Sequence, residues 1–225
     1  MFAQGTIGWH RQRLGCITGS KVGLLMKSGR SKTEMFSEAA KTYIYQLAAE
    51  RCMNEKIVND DDLFTIYLEE TSVSTKAMRW GTEQEANARN LYAKITKKDV
   101  IETGLMRHTE IKNFASSSDG FSYDDGEKIS LEIKCFQQDK FMKMRHIVKD
   151  NATLLAQEPC IFYQCMAHIM CNKADAADFV LYNPFQKHPI HIVRITPDND
   201  VFEAMAERIK VANEMIDEIV KNVQL

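Results

Sequence analysis

The side chains with the clearest chemical potential lie in two short segments, Ser116-Ser117-Ser118-Asp119-Gly120 and Leu131-Glu132-Ile133-Lys134, with the turn Asp124-Asp125-Gly126 between them. Alternate side chains of a strand share one face, so Glu132 and Lys134 point the same way while Leu131 and Ile133 point into the core. If the segment before the turn folds back on the segment after it, Asp119 comes beside Glu132 and two carboxylates face a shared site. Hard oxygen donors of that kind suit Mg²⁺, which keeps several waters and takes substrate phosphate as a further ligand. A metal held there polarises a phosphodiester and supplies hydroxide, while Lys134 holds the attacking water or stabilises charge on the phosphate. A Glu-x-Lys on its own is more often a solvated hairpin. Asp119, the turn and the flanking apolar residues together tip the balance toward phosphodiester chemistry.

Several elements must position these residues. Thr18, Gly19 and Ser20 precede Val22, Leu24, Leu25 and Met26, which predicts a short capped helix ending at Gly29. Between Thr33 and Met53 the apolar positions Phe36, Ala40, Tyr43, Ile44, Leu47 and Ala48 recur every three or four residues and predict a long helix. A second helix is expected from Thr75 to Lys94. Strands are expected at Asp99 to Met106, Phe114 to Ser116, Phe121 to Tyr123 and Ile129 to Ile133, forming an antiparallel meander. Helical periodicity returns at Phe136 to Val148 and Cys160 to Cys171. Strands follow at Asp178 to Tyr182 and His188 to Ile195, and Asp198 caps a last helix running to about Asn222. The order α-α-βββ-α-α-ββ-α implies an α/β (α+β) fold, a mixed central sheet flanked by helices.

Composition bounds the function. A chain of 225 residues with 44% hydrophobic and 27% charged residues suits one globular domain over 1–225. Lys+Arg total 29 against Asp+Glu 31, a net charge of -2, which excludes a uniformly basic nucleic-acid binder and makes any polyanion contact local. No apolar run is long enough to span a membrane and Met1 to His10 has no secretory pattern, so a cytosolic protein is expected. The six cysteines form no CxxC pair and read as reduced thiols. Cys160, Cys165 and Cys171 lack a fourth partner for an iron–sulfur cluster, and the six histidines show no zinc spacing. Lys134, Lys140, Lys143, Arg145 and Lys149, with Asp139 as the one acid among them and Phe136, Phe141 and Met144 interleaved, form the stretch best suited to follow a DNA backbone. A solvated helix face fits it equally.

The D-(x12)-E-x-K pattern on a hairpin after a helix resembles the PD-(D/E)xK nuclease superfamily, with Ser118 where Pro often stands. Further segments resemble the lambda-type phage exonucleases, also called the YqaJ viral recombinase family. They are Trp9-His10 with Arg13-Leu14-Gly15, Ile17-Thr18-Gly19-Ser20, Trp80-Gly81 with Glu85 and Ala88-Arg89, Ser117 to Gly120, Glu132 and Lys134, Gln164, and Tyr182-Asn183-Pro184. Together they cover roughly residues 8 to 197, and the last helix is matched only in kind.

The resemblance implies a restriction-endonuclease-like fold and an enzyme that digests one strand of linear double-stranded DNA from its 5′ end. It would release mononucleotides and leave a 3′ single strand for phage-type recombination by annealing. Asp119 and Glu132 would bind Mg²⁺, or Mn²⁺ in its place, with the backbone carbonyl of Ile133, and Glu85 would help to hold a second ion or its water. Without the resemblance Glu85, among Glu83, Gln84 and Arg89, reads as a solvated helix face. Lys134 would orient the nucleophile. Gln164 would reach the site from the helix after Pro159, or else satisfy a buried backbone group. Arg13, Ser20 and Ser117 would hold the terminal 5′-phosphate, Arg13 by a bidentate contact and Ser20 at a helix start; a surface ion pair and a plain cap are the alternatives for the first two. Lys140, Lys143 and Arg145 would follow the DNA. The resemblance also implies a ring-shaped homotrimer around DNA, with a phage single-strand annealing protein as partner in the bacterial cytoplasm. An endonuclease of the same fold and a non-catalytic DNA-binding adaptor are the competing functions. The trio Arg13, Ser20 and Ser117 speaks against the first and an intact Asp119, Glu132 and Lys134 against the second.

Overall fold

The computed structural model describes residues 2–31, 33–71 and 75–223. Two sheets lie among the helices. Strands β1 (Ile17–Thr18), β2 (Met106–Arg107) and β3 (Phe114–Ser116) form the smaller, in the order β1-β3-β2, with β1 parallel and β2 antiparallel to β3. Strands β4 (Gly120–Asp124), β5 (Glu127–Cys135), β6 (Ala176–Tyr182) and β7 (Ile190–Ile195) form the larger, in chain order, with β5 and β6 parallel and the outer pairs antiparallel.

The helices are α1 (Ile7–Arg13), α2 (Gly19–Leu25), α3 (Glu38–Arg51), α4 (Glu55–Asn59), α5 (Asp61–Thr71), α6 (Lys76–Thr96), α7 (Gln138–Ile147), α8 (Asn151–Gln157), α9 (Pro159–Asn172) and α10 (Asn199–Val223). Their boundaries follow local chemistry. Ser37 and Thr75 cap α3 and α6 by accepting from the N–H groups of Ala40 and Met78. Pro159 opens α9, and Lys97 and Lys173 take left-handed conformations just past the ends of α6 and α9. Asp198 Oδ1 accepts from Val201 N–H at the start of α10.

Strands β5 and β6 are covered on both faces. On β6, Ala177, Phe179 and Leu181 join the larger core with α2, α3, α9 and α10, while Val180 and Tyr182 join Leu131 and Ile133 of β5 in a smaller core under Ala88 and Tyr92 of α6. The other face of β5, carrying Ser130, Glu132 and Lys134, therefore turns toward α9.

The expected mixed α+β architecture is present, with corrections. The single central sheet is two sheets, because β3 pairs with β1 and β2 and does not continue the β4–β5 hairpin. The strand expected at Asp99 to Met106 contracts to one bridge, Ile101 to Phe121, and to β2, with Glu102-Thr103-Gly104-Leu105 between them. The first short helix stops at Met26, and Gly29 N–H instead closes a loop on Glu34 O. The long helix begins at Glu38, not Thr33, since Ser37 supplies the cap. Residues 55–71, where no element was expected, form α4 and α5, and of the apolar residues of α5 (Leu63, Phe64, Ile66, Tyr67 and Leu68) only Phe64 is buried. Phe64, buried beneath the Arg11 guanidinium, is the one buried anchor of α5. Helices α1 and α8 and strand β1 are likewise additional, each too short to show a period.

Candidate active site

The hairpin turn is set by Asp125 and Gly126, both at positive φ (48° and 94°), the backbone that a two-residue Asp-Gly turn demands. It pairs Gly120 with Leu131, and so brings Asp119, one residue earlier, opposite Glu132. Asp119 is locked by its own backbone and side chain: its N–H donates to Leu131 O at 3.0 Å and its Oδ2 accepts from Ile133 N–H at 2.6 Å. Gly120 adopts φ +148°, and a Cβ there would meet Val100 at 2.8 Å, so a side chain would push this corner apart.

Asp119 lines a pocket of about 460 Å³ with Glu85, Ile133, Lys134 and Gln164, and with Arg13, Ser20 and Ser117. Five elements and the β3–β4 connection thus bring together eight of the residues singled out in the sequence. Glu132 stands just behind them, fully buried. Its Oε1 pairs with the Lys134 ammonium, and its Oε2 lies 2.6 Å from His168 Nε2. Glu85 is not a solvated helix residue. Arg89, one turn on, donates to Glu85 Oε1 at 2.6 Å and to Asp119 O at 2.9 Å, and also pairs with Glu102 at 2.7 Å.

The electrostatics are those of crowded acids. Burial, then the charges of Glu132 and Glu85, hold the Asp119 carboxyl well above its ordinary value. Glu85 is raised by burial and by Glu132 against the pull of Arg89. Burial opposes ionisation of Glu132 too, but Lys134 and His168 outweigh it and hold that carboxyl low. The paired carboxylates raise Lys134 above the ordinary lysine value despite its burial.

Among the described residues no three His, Cys, Asp or Glu side chains form a ready-made metal cluster. The donor set nonetheless fits a hard divalent cation. Asp119 and Glu132 face one another, Glu85 is close enough to raise Asp119, and Glu132 Oε1 is a buried oxygen answered by the Lys134 ammonium and by no other donor. A bound cation would remove the mutual repulsion that now penalises ionisation.

In the same pocket Trp9 organises two neighbours. Its Nε1–H donates to Ser117 Oγ at 2.9 Å, and the Arg13 guanidinium stacks on its ring at 4.3 Å. Arg13 makes no ion pair among the described residues, so the surface ion-pair alternative has no partner here; burial draws its pKa down. Ser20 follows the first residue of α2, within 3.4 Å of Thr18 Oγ1. Lys140, Lys143 and Arg145 lie on α7 and do not line the pocket. Lys140 pairs with Glu158 at 2.7 Å and sits over Phe136, Arg145 donates to His188 O at 2.6 Å, and Lys143 is exposed.

Sequence reasoning missed His168 and Trp9 as parts of this site. The signal for His168 was its spacing, one helical turn after Gln164 on the same face of α9. Trp9 was marked only by resemblance, because nothing local tied an aromatic in α1 to Ser117.

The model of the YqaJ-like viral recombinase domain matches residues 8–174. No curated protein sequence matches the chain. Among solved structures, the alkaline exonuclease LHK-Exo of Laribacter hongkongensis is similar at a TM-score of 0.77 and 23% identity, over 97% of this chain and 96% of that one; the same values hold for LHK-Exo in complex with dAMP. A phage-related exonuclease from Haemophilus somnus 129PT is similar at a TM-score of 0.61 and 15% identity, over 92% and 96%. At such identities the likeness establishes the fold.

Proposed function

Because the chain belongs to the family of YqaJ-like viral recombinase domains, we propose that it is a Mg²⁺-dependent 5′→3′ exonuclease acting on linear double-stranded DNA. The observation that carries this reading is the common pocket of Asp119, Glu85, Lys134 and Gln164 with Arg13, Ser20 and Ser117. Hydrolytic and phosphate-holding residues in one cavity suit removal of a terminal nucleotide. LHK-Exo was solved in complex with dAMP, and release of a mononucleotide of that kind is the product this reading expects.

Asp119, Glu132 and the Ile133 carbonyl would hold one Mg²⁺, and Glu85 would help to hold a second; Mn²⁺ can substitute. When bound, the metal supplies Lewis-acid activation of the phosphate and a water of lowered pKa. Lys134, kept cationic by Glu132 and Asp119, orients the attacking water and offsets charge on the phosphate. Gln164 contributes an amide donor and acceptor from α9. Arg13, braced on Trp9, forms a charge-assisted contact with the terminal 5′-phosphate, joined by the hydroxyls of Ser20 and Ser117.

We assign the whole activity to a single PD-(D/E)xK domain over 1–225, assembled as a homotrimeric ring that needs basic residues, among them Lys140, Lys143 and Arg145, only where DNA passes. The remaining 3′ strand would pass to a phage single-strand annealing protein in the bacterial cytoplasm. Among the described residues no helix is long and apolar enough to cross a membrane.

The test is a linear duplex, 5′-phosphorylated and labelled on each strand in turn, incubated with and without Mg²⁺. Shortening of each strand from its 5′ end, with metal only, is expected. Cutting of a closed circular plasmid would replace this reading with the endonuclease, and binding without cleavage would replace it with the adaptor.

A further inference from the structure

Helix α9 and strand β5 run past one another with matched spacing. Four residues of helix advance about 6 Å and two residues of strand about 6.7 Å, so a row at i, i+4, i+8 keeps step with alternate strand positions. Gln164, His168 and Asn172 form that row against Lys134, Glu132 and Ser130. Gln164 and Lys134 both line the pocket, His168 meets Glu132, and Asn172 Nδ2 donates to Ser130 Oγ at 3.0 Å and to Ser118 Oγ at 3.1 Å. The neighbours of this row on α9, Ile161, Phe162, Cys165, Met166 and Ile169, are buried and apolar, so the polar seam is enclosed.

His168 is completely buried, and both of its ring nitrogens are engaged. A carboxylate only accepts, so Nε2–H donates to Glu132 Oε2, and in that tautomer Nδ1 accepts from the hydroxyl of Ser116, 2.7 Å away. Ser116 is itself buried on β3, with Gly19 packed so closely that a Cβ there would lie 2.1 Å from its Oγ. The chain Ser116–His168–Glu132 thus ties β3, α9 and β5 together behind the pocket.

We propose that His168, keyed by Ser116, is a positioning residue that fixes the Glu132 carboxylate, holding Oε2 so that Oε1 remains directed at Lys134 and available to a divalent cation. This rests on the proposed nuclease site and adds to it a support that lies outside the pocket. Partners that orient a ligating carboxylate from behind typically change metal affinity or activity by about 10- to 100-fold when removed.

The experiment measures Mn²⁺ binding by electron paramagnetic resonance on the purified full chain, with duplex cleavage and thermal midpoint alongside. His168→Ala is expected to weaken Mn²⁺ about 10-fold or more while metal-free duplex affinity stays unchanged. His168→Gln, whose amide N–H can still donate to Glu132, should recover most of that loss, and Ser116→Ala should lose several-fold. Unaltered Mn²⁺ affinity in His168→Ala overturns the proposal, as does His168→Gln being as impaired as His168→Ala. If His168→Ala does not fold, Ser116→Ala decides, and unchanged affinity there overturns the proposal equally. Glu132→Ala separates the two levels. If it still binds Mn²⁺ and cleaves, the site reading itself fails; if it is inert while His168→Ala is normal, only the positioning role fails.

Discussion

Glu132 and Asp178 are buried acids on neighbouring strands, β5 and β6, and their surroundings differ in kind. Asp178 is fully answered: Tyr92 O–H donates to its Oδ2 at 2.7 Å and Arg194 Nε–H to its Oδ1 at 2.5 Å, while Arg194 also reaches Asp124. Glu132 has His168 on one oxygen and only the Lys134 ammonium on the other, with Asp119 and Glu85 crowding the same space. A carboxylate whose acceptors are satisfied by fixed donors is a brace. One left partly unsatisfied beside two other acids is poised for a ligand, and the cost of burying it is borne by the rest of the fold.

Removing each acid in turn should separate the two roles most clearly. Glu132→Ala or Asp119→Ala should lower turnover at least a thousandfold, roughly 4 kcal/mol of transition-state stabilisation, with the fold retained by circular dichroism. Asp178→Ala should do the reverse, costing about 3 kcal/mol of stability in denaturant titration, less whatever the partly exposed Arg194 recovers from solvent, with turnover per folded molecule preserved. Wild-type-like turnover in either site variant would remove the assignment, and an inactive but stable Asp178→Ala would erase the distinction.

The lysine beside Glu132 gives a smaller effect on the same axis. Lys134→Ala should cost about a hundredfold in rate, close to 3 kcal/mol, at unchanged duplex affinity. Its counterpart at the other acid is Tyr92→Phe, which strips one donor from Asp178 and should cost about 1–2 kcal/mol of stability and no activity. Full-speed cleavage by Lys134→Ala would make the lysine merely the counter-ion of Glu132.

This contrast also marks how far the sequence could be read. The alternation Ile129-Ser130-Leu131-Glu132-Ile133-Lys134 and the Asp-Gly turn carry period and register in adjacent residues, so the hairpin and the Asp119–Glu132 pairing were legible. The periodic faces of α3, α7 and α9 were legible for the same reason. What pairs β3 with β1, or Tyr92 with Asp178, is sequence-distant packing that leaves no local period. Residues 55–71 failed differently, because in α5 Leu63, Phe64, Ile66, Tyr67 and Leu68 spread over a broad arc and the fold buries only Phe64, so no single face marked the helix. His168 was visible as a residue but not as a partner, since the face of α9 that meets β5 is decided by the tertiary fold.

In the same pocket, Arg13→Ala tests whether the terminal phosphate is read there. The substitution should narrow the rate difference between 5′-phosphorylated and 5′-hydroxyl duplexes several-fold, because the lost charge-assisted contact is open only to the phosphate. A purely structural Arg13, stacked on Trp9, would instead lower the thermal midpoint and leave the ratio of rates intact.

The smallest effect concerns α7, where the comparison moves from buried acids to surface bases. If Lys140, Lys143 and Arg145 each neutralise one phosphate, the triple alanine variant should flatten the slope of log affinity against log salt by about 2.7. The side-chain partners rank the three. Lys140 must leave Glu158 and Arg145 must leave the His188 carbonyl before either meets DNA, whereas Lys143 is exposed and gives up nothing comparable. Lys143→Ala alone should therefore flatten the slope by close to 0.9, and Lys140→Ala by less, because its charge is already partly neutralised by Glu158. Binding measured in Ca²⁺ keeps affinity separate from turnover. An unchanged slope in the triple variant would make α7 an ordinary solvated helix and send the DNA along another face.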